Sequence, residues 1–568
     1  MVLSLTNPII GGAPGRVKSR VYLHDPAHGG PPMLVGDRRT FLRSSAATAL
    51  SLAVPTDLFA QAASVPAPTS ANWDAGGLRH LLPTVSDTRM LIKTSFSTPL
   101  MEAPTLSVGG TSVRGRMGDT RGEHWHFYVT DLKPRHRYTL SLAGAKGRPL
   151  CEPWELATFP DPNERTDKFR LLIYTCGGGH EVHKFLPTAV RNRLLRRGLS
   201  FQPDAVVANG DQVYWDLLAP VGGPLFQTPE AIKLAGSFDR SAIALGGDNE
   251  TVLKRAAGPQ IVPVYGADFR STPVFFMQDD HDYFDNDEAT DDVVTFPPSF
   301  FMLQLARATQ GMYYPEFLPD GARPLGLPWS SAGDRGVSES FGTIRYGRLA
   351  EILLYDVRRT LTLAGPSAVY VDPEVEKWLK ARTAATEVTH LVHVPSNPPG
   401  WTAGKWGEWY PDVLGPDGKL TANISKPYWQ SGWLKQHDRL IEAMAAIKSR
   451  TPLVISGDLH AIGIGRMLRS GALDLKENPI TTVLSGPIGS RPGPNGWPSG
   501  RRGTGAMPPA HLDMDEQVKP IEQHGFTLVD FTPDKMVVRL FKWDWKTQTV
   551  EAIDNLEPFH TAELIRPV

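Results

Sequence analysis

Within Pro273-Val-Phe-Phe-Met-Gln-Asp-Asp-His-Asp-Tyr-Phe-Asp-Asn-Asp287 an apolar run, Val274–Met277, gives way at once to Asp279-Asp280-His281-Asp282, and Asp285-Asn286-Asp287 follow. Carboxylates this dense stay ionised together only around a cation, and without one their pKa values rise. A solvated acidic loop is the plainer fate of such a run. The same pattern recurs at three other places. Phe169–Tyr174 runs into Thr175-Cys176-Gly177-Gly178-Gly179-His180-Glu181, and residues 204–208 run into Asn209-Gly210-Asp211-Gln212-Val213-Tyr214. Leu453–Ser456 ends in Gly457-Asp458-Leu459-His460. Glycine ahead of Asp211 and Asp458 lets the backbone turn sharply where a side chain would clash. One carboxylate shared between two cations brings them ~3.5–4 Å apart, the spacing used in two-metal hydrolysis. A single Gly-Asp carries no such message; the ordered set does.

The elements that must position these residues are strands. Buried strands read as short continuous apolar runs, and runs alternating with helices imply a mainly parallel sheet with ligands at the carboxyl ends. A helix is expected over 187–197, a fourth strand over 349–354 ending in Tyr355-Asp356-Val357-Arg358-Arg359, and a fifth over 389–394. The fifth carries His390 and His393; one belongs to the core, and His393, nearer the strand end, is the better site candidate. A helix over 432–448 leads to the Leu453–Ser456 strand, and 525–545 returns to alternating strands that close the sheet. Two insertions, 220–270 and 290–340, are long and rich in Pro, Gly and aromatics, so they are expected as loops walling a substrate cleft. Residues 486–508 form another Gly-, Pro- and Arg-rich loop. Trp401, Trp406, Trp409, Trp429 and Trp433 suit either an aromatic wall of that cleft or ordinary packing.

Ahead of this α/β part, residues 63–162 read as all-β: Met90–Phe96, 125–129 and 137–142 alternate apolar and polar between Gly- and Pro-bearing turns. Their last strands resemble the closing strands of fibronectin type III-like sandwiches, and no cluster of catalytic residue types falls here. Residues 1–62 read as a removed leader. Arg38-Arg39, a weakly apolar run from Ala46 to Val54 and Ala60-Gln61-Ala62 make a twin-arginine export signal over 33–62. Met33 is then the expected start, with the mature chain beginning near Ala63. The apolar run is too short to span a bilayer, where ~20 residues are needed. With 59 basic and 60 acidic residues the net charge is −1, which leaves no footprint for nucleic acid or an anionic membrane. The two cysteines, Cys151 and Cys176, give no disulfide framework.

The order Gly-Asp, Asp-His, Gly-Asp-x-His resembles the metallophosphoesterases, and in detail the alkaline phosphatase D (PhoD-type) family. Cys176 stands where that family places its first ligand, and Gly210-Asp211-x-x-Tyr214 matches its Gly-Asp-x-x-Tyr. Asp279-Asp280-His281-Asp282 is similar to its Asp-Asp-His-Glu, with Asp for Glu and Gln278 where a Trp is usual. Asp356-Val-Arg358 resembles its Asp-x-Arg, and Ser456-Gly457-Asp458-Leu459-His460 its Ser/Thr-Gly-Asp-x-His. The Gly177-Gly178-Gly179-His180-Glu181 run and the insertions depart from the pattern. The Gly-Asp-x-x-Tyr spacing is shared with purple acid phosphatases.

The resemblance implies an α/β (α+β) metallophosphoesterase-like fold: a layered β-sheet core flanked by helices over 163–568, preceded by the small fibronectin type III-like sandwich. It implies Asp211 bridging two metals, Cys176, Tyr214 and His460 on a ferric ion, Asp280 and Asp458 on the calcium side, with manganese or zinc as alternatives, and Asp356 as a further metal ligand. Thiolate, phenolate and imidazole suit iron, and a carboxylate-rich side suits calcium or manganese. A buried structural cysteine and a rim aromatic are the plain alternatives for Cys176 and Tyr214. The strand-end position of Cys176 before three glycines argues against its burial. The implied activity is hydrolysis of phosphoric esters by a metal-activated hydroxide, with the cations and Arg358 stabilising charge on the phosphoryl oxygens. His281 would orient the phosphate, protonate the leaving group, or fix Asp280. Expected partners are a small or lipid phosphoester and the twin-arginine machinery, and the expected location is periplasmic or secreted. The rivals are a phosphodiesterase or phospholipase D-like activity, and a binding protein that keeps the metals without turnover.

Overall fold

The computed structural model describes residues 73–215, 229–286, 289, 293–318 and 337–567. They belong to one compact unit. Two sheets carry the α/β part. The first runs Val274–Met277, Ala205–Asn209, Phe169–Tyr174, His524–Thr532, Lys535–Trp543, His560–Ile565. Its first three strands are parallel and its last three are joined antiparallel. In the second, Ala350–Tyr355, His390–Pro395, Leu453–Ser456 and Ile480–Ser485 run parallel, flanked by antiparallel Phe341–Tyr346 and Ile462–Ser470.

The expected single sheet is therefore two. The physical reason is that apolar runs specify strands but not their neighbours. Phe169–Tyr174 pairs with His524–Thr532 at the other end of the chain. Strand faces explain the uninterrupted apolar runs. Leu171, Ile173, Val207 and Phe275 share one core with Ile352, Leu354, Val392 and Ile455 of the other sheet. The alternating partners Leu172, Val206, Ala208 and Phe276 share a second core with Val190 and Leu194 of the helix Thr188–Ser200. Both faces of each parallel strand are covered, so no polar alternation is needed.

The insertions are not loops in their described parts. They hold the helices Gly247–Tyr265 and Phe300–Tyr313, whose apolar residues join the second core. These helices also brace the amino-terminal strands: Lys93 Nζ donates to Gly311 O at 2.7 Å, and His80 Nε2 lies 2.8 Å from Tyr313 O. Those strands form two four-stranded antiparallel sheets between Leu78 and Ala157, with Tyr138, Leu140 and Leu142 of Arg137–Ala143 turned inward.

Parallel register brings the ligand-bearing strand ends level. Ala208 faces Tyr174, and Asn209 faces Met277, so the loops after all three strands leave from one edge. The second sheet's loop after Leu453–Ser456 meets them at Thr175. Thr175 Oγ1 donates to Asn209 O at 2.6 Å and accepts from Asp458 N at 3.3 Å. A Cβ on Gly457 would fall 2.1 Å from Thr175 Oγ1 and 2.7 Å from Asn209 O. Gly457→Ala should therefore cost about 1–3 kcal/mol by overpacking. Gly311→Ala, in a helix with open space at its Cβ, should be neutral or gain up to about 1 kcal/mol. Denaturant melts of the two variants check this; equal midpoints would contradict it.

Candidate metal centre

Four of the residues singled out from the sequence share an uncommon backbone: Cys176 (φ 51°), Asp211 (φ 58°), Asp458 (φ 65°) and His460 (φ 48°) are left-handed. Non-glycine residues there cost about 1–3 kcal/mol each and persist only where the surroundings enforce them. Here the turn swings each side chain across the sheet edge instead of along the strand.

The result is a first cluster. Cys176 Sγ lies 3.3 Å from Asp211 Oδ2, which also accepts from Tyr214 OH at 2.9 Å. Tyr214 OH is 2.9 Å from His460 Nε2. His460 Nδ1 meets Gly496 O at 2.6 Å, and a carbonyl only accepts, so Nδ1 carries the hydrogen. The lone pair of Nε2 then faces Cys176 and Asp211. The ligand atoms of Cys176, Asp211 and His460 lie within 4.8 Å of one another.

The second cluster is carboxylate-rich. Asp279, Asp280 and Asp458 converge within the same distance, as do Asp211, Asp280 and His281. Asp211 Oδ1, Asp279 Oδ2 and Asp280 Oδ1 are buried with no hydrogen-bond partner among the described residues. Buried carboxylate oxygens are rarely left so, and a bound cation is what satisfies them. The donor types and these open oxygens fit a metal centre.

Electrostatics point the same way. Burial, reinforced by the Asp211 carboxylate, pushes the Cys176 thiol and the Tyr214 phenol far above their ordinary values. Burial drives His460 well below its own, with Arg501 adding to it. Asp211 is pushed up to about 6 by burial, with Asp280 and Asp458 adding to it against His281. Asp280 differs: burial would raise it, but Lys405, His281, Arg358 and Arg501 outweigh that and hold it low. Without a cation the Cys176 thiol and the Tyr214 phenol hold their protons, and metal binding there would release them.

Cys176 is fully buried, contrary to the expectation from its strand-end place, because the loop after it is covered. The three glycines explain this. A Cβ on Gly178 would lie 2.6 Å from Gln212 O, and one on Gly489 would lie 2.7 Å from Cys176 O. Asp356 does not reach either cluster. Its Oδ1 accepts from Arg358 N (2.6 Å) and Arg359 N (3.2 Å), and its Oδ2 from Tyr283 OH (2.7 Å). It shapes the turn that aims Arg358. Arg358 is buried and occupied: Nε donates to Asp279 Oδ1 at 2.8 Å, NH1 to Gly407 O at 2.5 Å, and NH2 lies 3.5 Å from Asp458 Oδ2. It holds carboxylates in place rather than facing open space. The His281 ring packs against Tyr214, centroids 4.3 Å apart and tilted by 34°. His393 is no site residue, since its ring meets Thr383 Oγ1 and Tyr355 OH on the helix side of the sheet. His390 meets Thr532 O. Trp401, Trp406, Trp409 and Trp433 are buried packing residues, and Trp429 donates to Trp409 O, so the tryptophan wall is absent.

Five contributors escaped the sequence reading in these roles. Lys405 Nζ donates to Asp458 Oδ1 and lies 3.9 Å from Asp280 Oδ2. Asn397 Nδ2 donates to Asp458 Oδ2 at 2.7 Å, and Asn286 Nδ2 to Asp280 Oδ2 at 3.2 Å. Asn397 follows the strand His390–Pro395, so the strand-end rule that found Asp211 would have found it. Asp282 is a backbone clamp, accepting from Asp211 N, Gln212 N, Val213 N and Asp279 N at 2.8–2.9 Å. Gln260, in an inserted helix, accepts from Gly179 N and Tyr214 N and donates to Tyr214 O.

The Asp211 shift sets a pH dependence. Its folded value of about 6 lies above the ~3.9 of an unfolded chain, so the folded metal-free protein holds this proton more tightly. The associated stability is complete below about pH 4 and is lost as pH rises through about 6. The melting temperature of chelator-treated protein should fall from pH 4 to 7 relative to Asp211→Asn, whose amide does not titrate. Parallel curves would refute the assignment.

No protein-family model matches the sequence, and no curated protein matches it. Solved structures do. A structure of PhoD is 14% identical, with 88% of this chain and 90% of that chain covered, at a TM-score of 0.54. Purple acid phosphatase PPD1 from yellow lupin (Lupinus luteus) seeds is 12% identical, with 86% of this chain and 74% of that one covered, at a TM-score of 0.49. At such identity the likeness to PhoD concerns architecture, and over most of both lengths this chain is built on the fold of PhoD.

Proposed function

We propose that the chain is an exported, metal-dependent hydrolase of phosphoric esters. The observation that carries this reading is the meeting of strand-end donors from both sheets around three buried carboxylate oxygens that no described group satisfies. Cys176, Asp211, Tyr214 and His460 would hold a ferric ion. Asp280 and Asp458, with Asp279 and Asn397 beside them, would hold calcium, or manganese or zinc, and Asp211 would be shared. When bound, such cations supply an activated water nucleophile and neutralise charge on the phosphoryl oxygens. The chain's own residues do the rest. Arg358 and Lys405 hold Asp458 on its two oxygens. Asp282 fixes the Asp211 and Asp279 loops to each other. His281, against the Tyr214 ring, would orient the phosphate or hand a proton to the departing alkoxide. The strands between Leu78 and Ala157 would serve as a fibronectin type III-like support for the catalytic part.

Hydrolysis of p-nitrophenyl phosphate, abolished by chelator and restored by metal, is the expected result. Faster hydrolysis of bis-p-nitrophenyl phosphate would favour a diesterase. Metal binding without turnover of either would leave a binding protein.

The donor set also predicts colour. A phenolate or thiolate on ferric iron gives charge-transfer absorption in the visible range, which calcium, zinc and magnesium cannot give. Concentrated protein should be coloured, and Tyr214→Phe should bleach or shift the band with the fold intact. A colourless, iron-free, fully active preparation would rule out the iron reading.

Arg38 and Arg39 lie outside the described residues. Among the described residues no helix is long and apolar enough to cross a membrane. Replacing both arginines by lysine should trap precursor inside the cell; efficient release of that variant would overturn the export route.

A further inference from the structure

Next to the carboxylate-rich cluster, the loop bearing Lys405 borders a cleft of roughly 420 Å³ that begins at Gly404. Among the described residues its lining includes Lys426, Arg501 and Arg502 and no acidic residue, while Val413, Leu414 and Ile424 give it an apolar wall. In a chain of net charge −1, such a surplus is a local feature. Lys426 is already engaged: its Nζ donates to Lys405 O at 2.8 Å and lies 3.6 Å from Glu408. That contact ties the cleft to the lysine on Asp458.

Arg501 is different. It is exposed, and no described residue pairs with its guanidinium. It lies in the short helix Pro498–Arg502, which Glu522 anchors by accepting from Ser499 N at 2.9 Å and from Ser499 Oγ. The acidic group on that side is thereby used on the backbone and not on the arginine. The cleft adjoins the metal donors through Gly404 and Lys426, both next to Lys405, whose ammonium donates to Asp458 Oδ1. An exposed guanidinium over an apolar wall suits an oxyanion carried on a hydrocarbon segment.

We propose that this cleft is a second-anion subsite, and that the substrates are phosphoesters whose leaving alcohol carries another oxyanion a short apolar spacer away. This rests on the phosphoesterase reading above. The scissile phosphate would lie at the metal cluster, the spacer along Val413 and Leu414, and the distal anion at Arg501.

The test compares hexyl phosphate with 6-(phosphonooxy)hexanoate. Both release an unactivated primary alkoxide, so leaving-group chemistry is matched and only the distal carboxylate differs. The wild-type protein should favour the carboxylated ester in kcat/KM by about tenfold or more, equivalent to ~1.4 kcal/mol, mostly through KM. Arg501→Ala should bring the ratio close to one, and Arg501→Lys should keep part of it. A wild-type ratio near one overturns the subsite. So does a ratio that survives Arg501→Ala, including the case where both esters slow equally, which would place Arg501 on the scissile phosphate. If the wild-type protein cleaves neither ester and also leaves p-nitrophenyl phosphate intact, the phosphoesterase reading fails and the subsite with it. Turnover of p-nitrophenyl phosphate without the preference removes the subsite alone.

Discussion

Asp211, Asp279, Asp280 and Asp458 are all buried where the strand ends of the two sheets meet, and the fixed cations that touch them among the described residues are Arg358 and Lys405. Like charges taken out of water together are held only by opposite charge or by protons. Arg358 and Lys405 both bear on Asp458, and Arg358 also takes Asp279. Asp211 is left with hydroxyl and thiol donors. Its carboxyl rises accordingly. The surroundings of the centre follow from this imbalance. Donors with no net charge, such as Asn286, Asn397 and the Tyr214 hydroxyl, satisfy single oxygens, and the remaining deficit is the right sign and place for metal.

Holding that imbalance requires a rigid frame, because buried carboxylates would otherwise move apart or open to water. The frame is made largely of backbone. Asp282 gathers four N–H groups from the Asp211 and Asp279 loops, and Thr175 couples Asn209 to Asp458 across the two sheets. Gln260 adds the inserted helix to the Cys176 and Tyr214 loops. Left-handed backbone at Cys176, Asp211, Asp458 and His460 is the conformational cost of turning the donors inward, and the packed cores on both faces of the strands bear it.

What the sequence disclosed follows the same division. The strands at Phe169–Tyr174, Ala205–Asn209, Val274–Met277 and Leu453–Ser456 were legible because burial on both faces leaves uninterrupted apolar runs, and the polar residues after them mark the site edge. Pairing was not legible: nothing local in Phe169–Tyr174 announces a partner at His524–Thr532. Proline misled the reading of the first insertion, since Pro259 and Pro263 both sit inside the helix Gly247–Tyr265. Asp356 and His393 carry the right side chains at or near strand ends, but hydrogen bonds within their own neighbourhoods turn them elsewhere. Lys405 is the opposite case. It lies in a loop with no periodicity, and only tertiary folding brings its ammonium to Asp458.

Lys405 and Arg358 also bear on how a phosphoester would be received. Arg358 is 1% exposed and spends its guanidinium on Asp279, Asp458 and Gly407, so its charge is felt through the carboxylates it orients. Lys405 keeps 15% of its side chain exposed and sits between the carboxylates and the neighbouring cleft. A tetrahedral dianion arriving at the metal donors therefore meets a graded field. It has buried positive charge beneath, a half-screened ammonium at the rim, and the Arg501 guanidinium beyond. Electrostatics of this kind act most strongly where water is excluded. The inner part belongs to any ester with a phosphoryl group, whereas the outer part can discriminate only through what the alcohol carries. On the proposed reading, chemistry and selectivity would be separated in space, with the strand ends serving the first and the loops at Gly404 and Arg501 the second.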